Sequence, residues 1–200
     1  MENNIELELR AEVSLSQFDT LLFDLKKKQK LLSHIKRLSV MFLGEINQVN
    51  FDIRVRVSSD GKTELVIKRG DYHAHNRVEF SQEIKKDQFV EFVKIFSLFG
   101  FQAKVTEREN FLFDLGNNTT MVLVKAGSIA YVEIEKMSHE KNINENKDKL
   151  LQIINSFNLK LIENDNEFNE LCDRLTRDCD WIFNGTTNHI EKLEIVLNCY

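Results

Sequence analysis

The sequence contains no proline, against an average usage of about 5%. Its turns must therefore be made by Gly, Asn, Asp and Ser, and slow prolyl isomerisation is excluded as a limit on folding. Cysteine is scarce as well: Cys172, Cys179 and Cys199 are odd in number and confined to the C-terminal part of the chain. Their spacing fits no paired-cysteine zinc pattern, so reduced thiols without disulfides are expected. No apolar run approaches the ~20 residues of a membrane span, and the first residues form no apolar signal core. A cytoplasmic protein that does not enter the membrane is the expectation. Neither sign of charge dominates, with 27 basic and 32 acidic residues and a formal net charge of -5. That balance excludes a general binder of nucleic acid or anionic membrane drawn by its overall field. Any anion site has to be locally basic.

What is present is a chain of 200 residues, 42% of them hydrophobic, enough for a sizeable core. Alternation of apolar and polar residues predicts a strand from Ile5 to Val13. Ser14 then reads as the N-cap of a helix burying Phe18, Leu21, Leu22 and Leu25, closed by Lys26, Lys27 and Lys28 at its negative dipole end. Strands follow near His34 to Leu43, from Phe51 to Val57, from Thr63 to Arg69 and from Asn76 to Glu83. Gly44 and the Asn-rich stretch after it make the first of the intervening turns, and Ser58-Ser59-Asp60-Gly61 makes a hairpin. Lys85 to Phe99 has helical periodicity, with Phe89, Phe92, Val93, Phe96 and Phe99 on a core face. Strands at about Gln102 to Leu115, Thr119 to Lys125 and Ile129 to Met137 form a meander. From Asn142 the pattern is helical, and Trp181, Ile182 and Phe183 read as helix packing. The expectation is one α+β domain over residues 1–200: strands and two covering helices in 1–137, and a helical C-terminal extension, 142–200, packed on them.

The strands share a charge code. Glu6, Glu8 and Arg10 alternate with Ile5, Leu7 and Leu9, and the pattern recurs as Arg54 and Arg56, Glu64 and Lys68, Arg77 and Glu79, and Glu133 and Glu135. Successive strand residues face opposite ways, so these charges line one surface. So many charges in a dry core would be prohibitive. Helices on the apolar faces and a hydrated barrel or groove that holds a charged ligand resolve the conflict.

With those residues in view, the chain resembles the CYTH superfamily, the triphosphate tunnel metalloenzymes that include class IV adenylate cyclases, thiamine triphosphatases and inorganic triphosphatases. The family mark Glu-x-Glu-x-Lys is matched by Glu6-Leu7-Glu8-Leu9-Arg10. It is followed in order by Asp52-Ile53-Arg54-Val55-Arg56, Leu65-Val66-Ile67-Lys68-Arg69-Gly70, Arg77-Val78-Glu79, Arg108 and Tyr131-Val132-Glu133-Ile134-Glu135, over about residues 4 to 137. The resemblance implies an eight-stranded antiparallel, closed or nearly closed β-barrel. It further implies that Arg54, Arg56, Lys68, Arg77 and Arg108 bind substrate, that Glu6, Glu8, Glu79, Glu133 and Glu135 hold Mg²⁺ or Mn²⁺, and that Glu6, Glu8 and Arg10 are catalytic. The chain departs from the family pattern in four places. Arg10 replaces the usual lysine, Ser81 stands where many relatives carry glutamate, Thr106 stands where a lysine is common, and no acid is found near Leu123 where an aspartate is usual.

The leading function is metal-dependent hydrolysis of an inorganic or organic triphosphate. The alternatives are a class IV-like adenylate cyclase making cyclic AMP from ATP and a non-catalytic binder of polyphosphate or nucleotide. The expected partner is a small molecule containing a triphosphate, and the helical tail could serve a homodimer. Taken singly, each cation also reads as a strand-surface charge paired across the ladder. Lys36 and Arg37 either reach the tunnel mouth or face solvent. Tyr72-His73-Ala74-His75 reads as a solvated turn, because two histidines do not complete a zinc site.

Overall fold

A computed structural model of the chain describes residues 4–70 and 78–200, with side chains from residue 7 onward apart from that of Glu140. The elements in order are β1 (Asn4–Val13), α1 (Leu15–Lys28), β2 (Lys30–Ile46), β3 (Val49–Ser58), β4 (Thr63–Arg69), β5 (Val78–Glu83), α2 (Phe89–Ser97), β6 (Gln102–Gly116), β7 (Thr119–Ala126), β8 (Ile129–His139), α3 (Ile143–Ser156), β9 (Lys160–Leu161), α4 (Asp165–Asp178), β10 (Trp181–Phe183) and α5 (Thr187–Leu197). A 3₁₀ turn, Lys86–Gln88, precedes α2, and no helix among the described residues is long and apolar enough to cross a membrane. The architecture is α+β, with five helices among the described residues on antiparallel strands.

The chain divides into two compact units, the first Met1–His34 with Glu109–Leu175, the second Ile35–Arg108 with Thr176–Tyr200. In the first unit the strands run in the order β2-β6-β7-β8-β1-β9. Leu7, Leu9, Ala11 and Val13 of β1 stand on one face with Val132 and Ile134 of β8 and Met121 and Leu123 of β7. Phe18 and Leu25 of α1 and Leu150 and Ile154 of α3 close over them as a single core. In the second unit the order is β5-β4-β3-β2-β6, with β10 paired to β6. Its core joins Leu38, Val40 and Phe42 of β2, Val55 and Val57 of β3, Phe89, Val93 and Phe96 of α2, and Ile190, Leu193 and Leu197 of α5. In both units the helices take the apolar parity of the strands, which leaves the charged parity on the other face. Among the described residues the hydrogen-bonded path ends at β5 and β9, so of the closed or nearly closed barrel that the resemblance implies, the antiparallel sheet is present and closure by hydrogen bonds is not.

Three local readings also change. Gly44 lies within β2, where the Phe101 ring occupies the space that a Cβ would need, and the turn is made instead by Asn47 and Gln48, both at positive φ. That pair of left-handed residues is what a two-residue hairpin requires. Phe99 falls beyond the end of α2 and is 55% exposed rather than in the core. Trp181–Phe183 is a strand paired with Ala103–Val105 of β6, not helix packing. Its polar backbone finds partners in a distant strand, which no local periodicity reveals.

Helix α1 shows how closely local chemistry sets a boundary. Ser14 Oγ accepts from the Gln17 amide and the Gln17 side chain accepts from the Ser14 amide, a complete capping box, while Lys26, Lys27 and Lys28 occupy the last turn. Ser14→Ala is expected to lower unfolding free energy by about 1 kcal/mol in urea titrations, whereas Ser156→Ala, outside any N-cap, changes it far less.

Candidate functional site

Two clusters occupy the charged parity, one in each unit. In the first unit Glu8 lies opposite Glu135 and Arg10 opposite Glu133 across the β1–β8 ladder. Carboxylate oxygens of Glu8, Glu133 and Glu135 all lie within 4.8 Å of one another. Arg10 binds two of the three, with Nη2 donating to Glu8 at 2.6 Å and Nε to Glu133 at 3.1 Å. One guanidinium against three carboxylates leaves a surplus of negative charge. Burial and the neighbouring Glu133 accordingly push the Glu8 carboxyl up to about 8, against the lowering pull of Arg10. Arg10 itself is opposed by burial but held above its ordinary range by Glu8 and Glu133. Helix α4 supplies two further contacts on β1: the Phe168 ring lies 4.9 Å from the Arg10 guanidinium carbon, and Arg174 forms a two-pronged bond to Glu12.

Close-set carboxylates with surplus negative charge are the donor set that hard divalent cations take, and a proton is what holds such a set together without one. Glu8, Glu133 and Glu135 therefore fit Mg²⁺ or Mn²⁺. Glu6 pairs with Met137 along the backbone, and its side chain lies outside the described residues. Glu79 stands in the second unit, where it binds Lys68 at 2.7 Å, and is not a member of the trio.

In the second unit β3 carries Asp52, Arg54 and Arg56 on one parity, facing Lys68, Val66 and Glu64 of β4. Arg54 forks onto the buried Asp52 at 2.9 and 2.6 Å. Arg56 Nε donates to Glu64 at 2.9 Å, and the same carboxylate receives Lys62 at 2.6 Å and the Ser81 hydroxyl at 3.1 Å. Burial alone would raise the Glu64 carboxyl, but Lys62 and Arg56 hold it below its ordinary value. On β6 of the same unit, Arg108 forks onto Asp180 at 2.7 and 3.2 Å, and Lys104 reaches Asp180 at 3.1 Å and Thr176 at 2.7 Å. The Asp180 carboxylate is fully enclosed. Arg77 and the His73 and His75 turn lie outside the described residues.

Asp52, Lys62, Lys104, Phe168 and Asp180 were not singled out as site residues by the sequence reading. Parity alone signals Asp52, two residues before Arg54, and Lys104, four before Arg108; nothing local signals Asp180 or Phe168.

No family model matches the chain, and no curated protein does. Solved structures do match. The PH1819 protein of Pyrococcus horikoshii OT3 aligns over 84% of this chain and 99% of its own, with a TM-score of 0.64 at 16% identity. HpAC1 of Hippeastrum, a candidate adenylyl cyclase with a dominant triphosphatase activity, aligns over 86% and 96%, with a TM-score of 0.54 at 16% identity. The RNA triphosphatase domain of a mimivirus mRNA capping enzyme aligns over 78% and 91%, with a TM-score of 0.50 at 12% identity. The fold is that of CYTH-type proteins.

Against the CYTH-type pattern, the departures acquire a structural meaning. Leu123, where an aspartate is usual, is fully buried in the first core. Thr120 and Val122 face Glu135 and Glu133 across the β7–β8 ladder, so β7 offers the trio no carboxylate. Ser81 replaces an acid with a hydroxyl that donates to Glu64. Arg10 in place of lysine allows one side chain to bind both Glu8 and Glu133 through separate nitrogens.

Two measurements check this account. Folding raises the Glu8 carboxyl from 4.5 to about 8, so the folded chain holds that proton more tightly than the unfolded one. The associated stability is fully present below about pH 4.5 and is lost as pH rises toward 8. Urea titrations of metal-free protein across that range are expected to show the decline, Glu8→Gln to flatten it, and millimolar Mn²⁺ to offset it at pH 8. Asp180→Ala strands Arg108 and Lys104 without their shared carboxylate and is expected to lower unfolding free energy by about 3–5 kcal/mol, with Asp180→Asn losing less.

Proposed function

We propose that the protein is a divalent-metal-dependent enzyme of the triphosphate tunnel type, hydrolysing a phosphoric anhydride bond of an inorganic or organic triphosphate. The observation that carries this reading is the trio of Glu8, Glu133 and Glu135, which carries more negative charge than Arg10 neutralises. Glu8, Glu133 and Glu135 would hold Mg²⁺ or Mn²⁺, which when bound supplies charge neutralisation at the phosphoryl oxygens. Arg10 keeps Glu8 and Glu133 at fixed spacing. Arg54, Arg56, Lys68 and Arg108 bind phosphate oxygens, with Arg77 and Glu6 in the same roles that the CYTH resemblance implies. Asp52, Glu64, Glu79 and Asp180 fix the long cationic side chains before substrate arrives, which lowers the ordering entropy that binding would otherwise incur.

A second reading, a non-catalytic binder of polyphosphate or nucleotide, is favoured by one observation, the lack of a carboxylate from β7 beside the trio. The experiment separates the readings. Purified protein is incubated with tripolyphosphate, thiamine triphosphate or ATP, each with Mg²⁺ or Mn²⁺, and phosphate and cyclic AMP are measured. Phosphate release that EDTA abolishes and that Glu8→Gln or Glu133→Gln lowers by about 100-fold or more, a loss typical of groups acting on transition-state charge, is expected. Cyclic AMP from ATP as the main product would assign the cyclase instead. Tight tripolyphosphate binding with no turnover of any substrate would assign the binder.

A further inference from the structure

Arg37 differs in its surroundings from Arg54, Arg56 and Lys62. On the β2–β3 ladder Arg37 lies opposite Ser58, Ser39 opposite Arg56 and Met41 opposite Arg54. All six stand on the parity away from Leu38, Val40, Val55 and Val57, which fill the core. Between Arg37 and Arg56 the intervening positions are Ser39 and Ser58, both buried, whose short side chains leave room for two guanidinium groups to converge. Burial, Arg56 and Arg54 all disfavour the Arg37 charge, outweighing Glu64 and Asp60.

The hydrogen bonds leave a specific set of donors open. Arg37 is tied through Nε alone, by a long 3.4 Å bond to the Ser58 hydroxyl. Arg56 is tied through Nε to Glu64 at 2.9 Å. Among the described residues the Nη groups of Arg37 and Arg56 meet no protein acceptor, and no carboxylate lies within 4.0 Å of Arg37. Arg37 and Arg56 are both half-buried rather than enclosed, so part of each side chain is open to solvent. Arg54 and Arg56 meet carboxylates, Asp52 at 2.6 Å and Glu64 at 2.9 Å, whereas Arg37 meets a hydroxyl.

We propose that Arg37 is a phosphate-binding residue which, with Arg54 and Arg56, forms a three-guanidinium site on β2 and β3 for the terminal phosphate of a linear triphosphate. A terminal phosphate presents three acceptor oxygens and roughly two negative charges, so it can occupy two open Nη edges at once. An internal phosphate has fewer non-bridging oxygens and less charge. Guanidinium forks match such oxygens in a way that a lysine ammonium does not. The inference rests on the triphosphate reading above and adds to it a residue and a preference for chains with a free end.

Titration calorimetry in EDTA tests it, with tripolyphosphate and cyclic trimetaphosphate as probes; the ring has the same number of phosphorus atoms but no terminal group. Wild-type protein is expected to bind tripolyphosphate more tightly than trimetaphosphate. Arg37→Gln is expected to lose tenfold or more for tripolyphosphate and little for the ring, with Arg37→Lys recovering part and Lys94→Gln, an exposed charge on α2, changing neither. Unchanged melting of Arg37→Gln by circular dichroism secures the comparison. Tripolyphosphate binding by Arg37→Gln equal to wild type would overturn the role of Arg37 and leave the triphosphate reading standing. Equal losses for both anions would overturn the terminal assignment. Absence of wild-type binding to tripolyphosphate, in EDTA and with Mg²⁺ alike, would overturn both readings together.

Discussion

The ion pairs on the charged parity are what this structure has to maintain, because most of its half-buried cations are stabilised by a carboxylate that they meet. Arg54 depends on Asp52, Arg56 on Glu64, and Arg108 with Lys104 on Asp180. Removing one member of such a pair leaves an uncompensated charge away from water, which costs far more than the pair contributes. The two-residue period of the strands makes this arrangement consistent with an ordinary core. Most apolar positions go to the helices and most ionic ones to the other side, with Val66 and Met41 as exceptions opposite Arg54.

The two clusters differ in the charge that their surroundings disfavour. In the first unit Arg10 leaves part of the charge of Glu8, Glu133 and Glu135 unneutralised, and a raised Glu8 carboxyl is the outcome. In the second unit burial, Arg56 and Arg54 together disfavour the Arg37 charge. The first cluster suits a cation, and the guanidinium groups of the second suit an anion. A chain of formal net charge -5 can in this way still present a locally basic site.

Features set by adjacent residues could be read from the chain. Ser14 caps α1, Asp60-Gly61 turns between β3 and β4, and the alternation in β1, β3 and β8 places Glu8, Arg10, Arg54, Arg56, Glu133 and Glu135 on the charged parity. Contacts between distant segments could not. The strand Trp181–Phe183 exists because β6 offers it backbone partners, and Asp180 matters only because the fold brings it to Arg108. Gly44 has the composition of a turn residue, yet its missing Cβ is used to admit the Phe101 ring. In the same way Arg37 reads locally as one of two adjacent surface cations, and only the register against Ser58 and Arg56 distinguishes it from Lys36.

The second unit is assembled from two stretches of chain separated by Glu109–Leu175, the second stretch of the first unit. Phe183, Ile190, Leu193 and Leu197, which complete its core, are translated long after the strands they cover. A nascent chain that has reached Leu175 therefore already contains every residue of the first unit, while β2 to β5 still expose an apolar face with only α2 to shield it. During synthesis that face is the part of the molecule most in need of protection from aggregation, and the emergence of β10 and α5 ends that exposure.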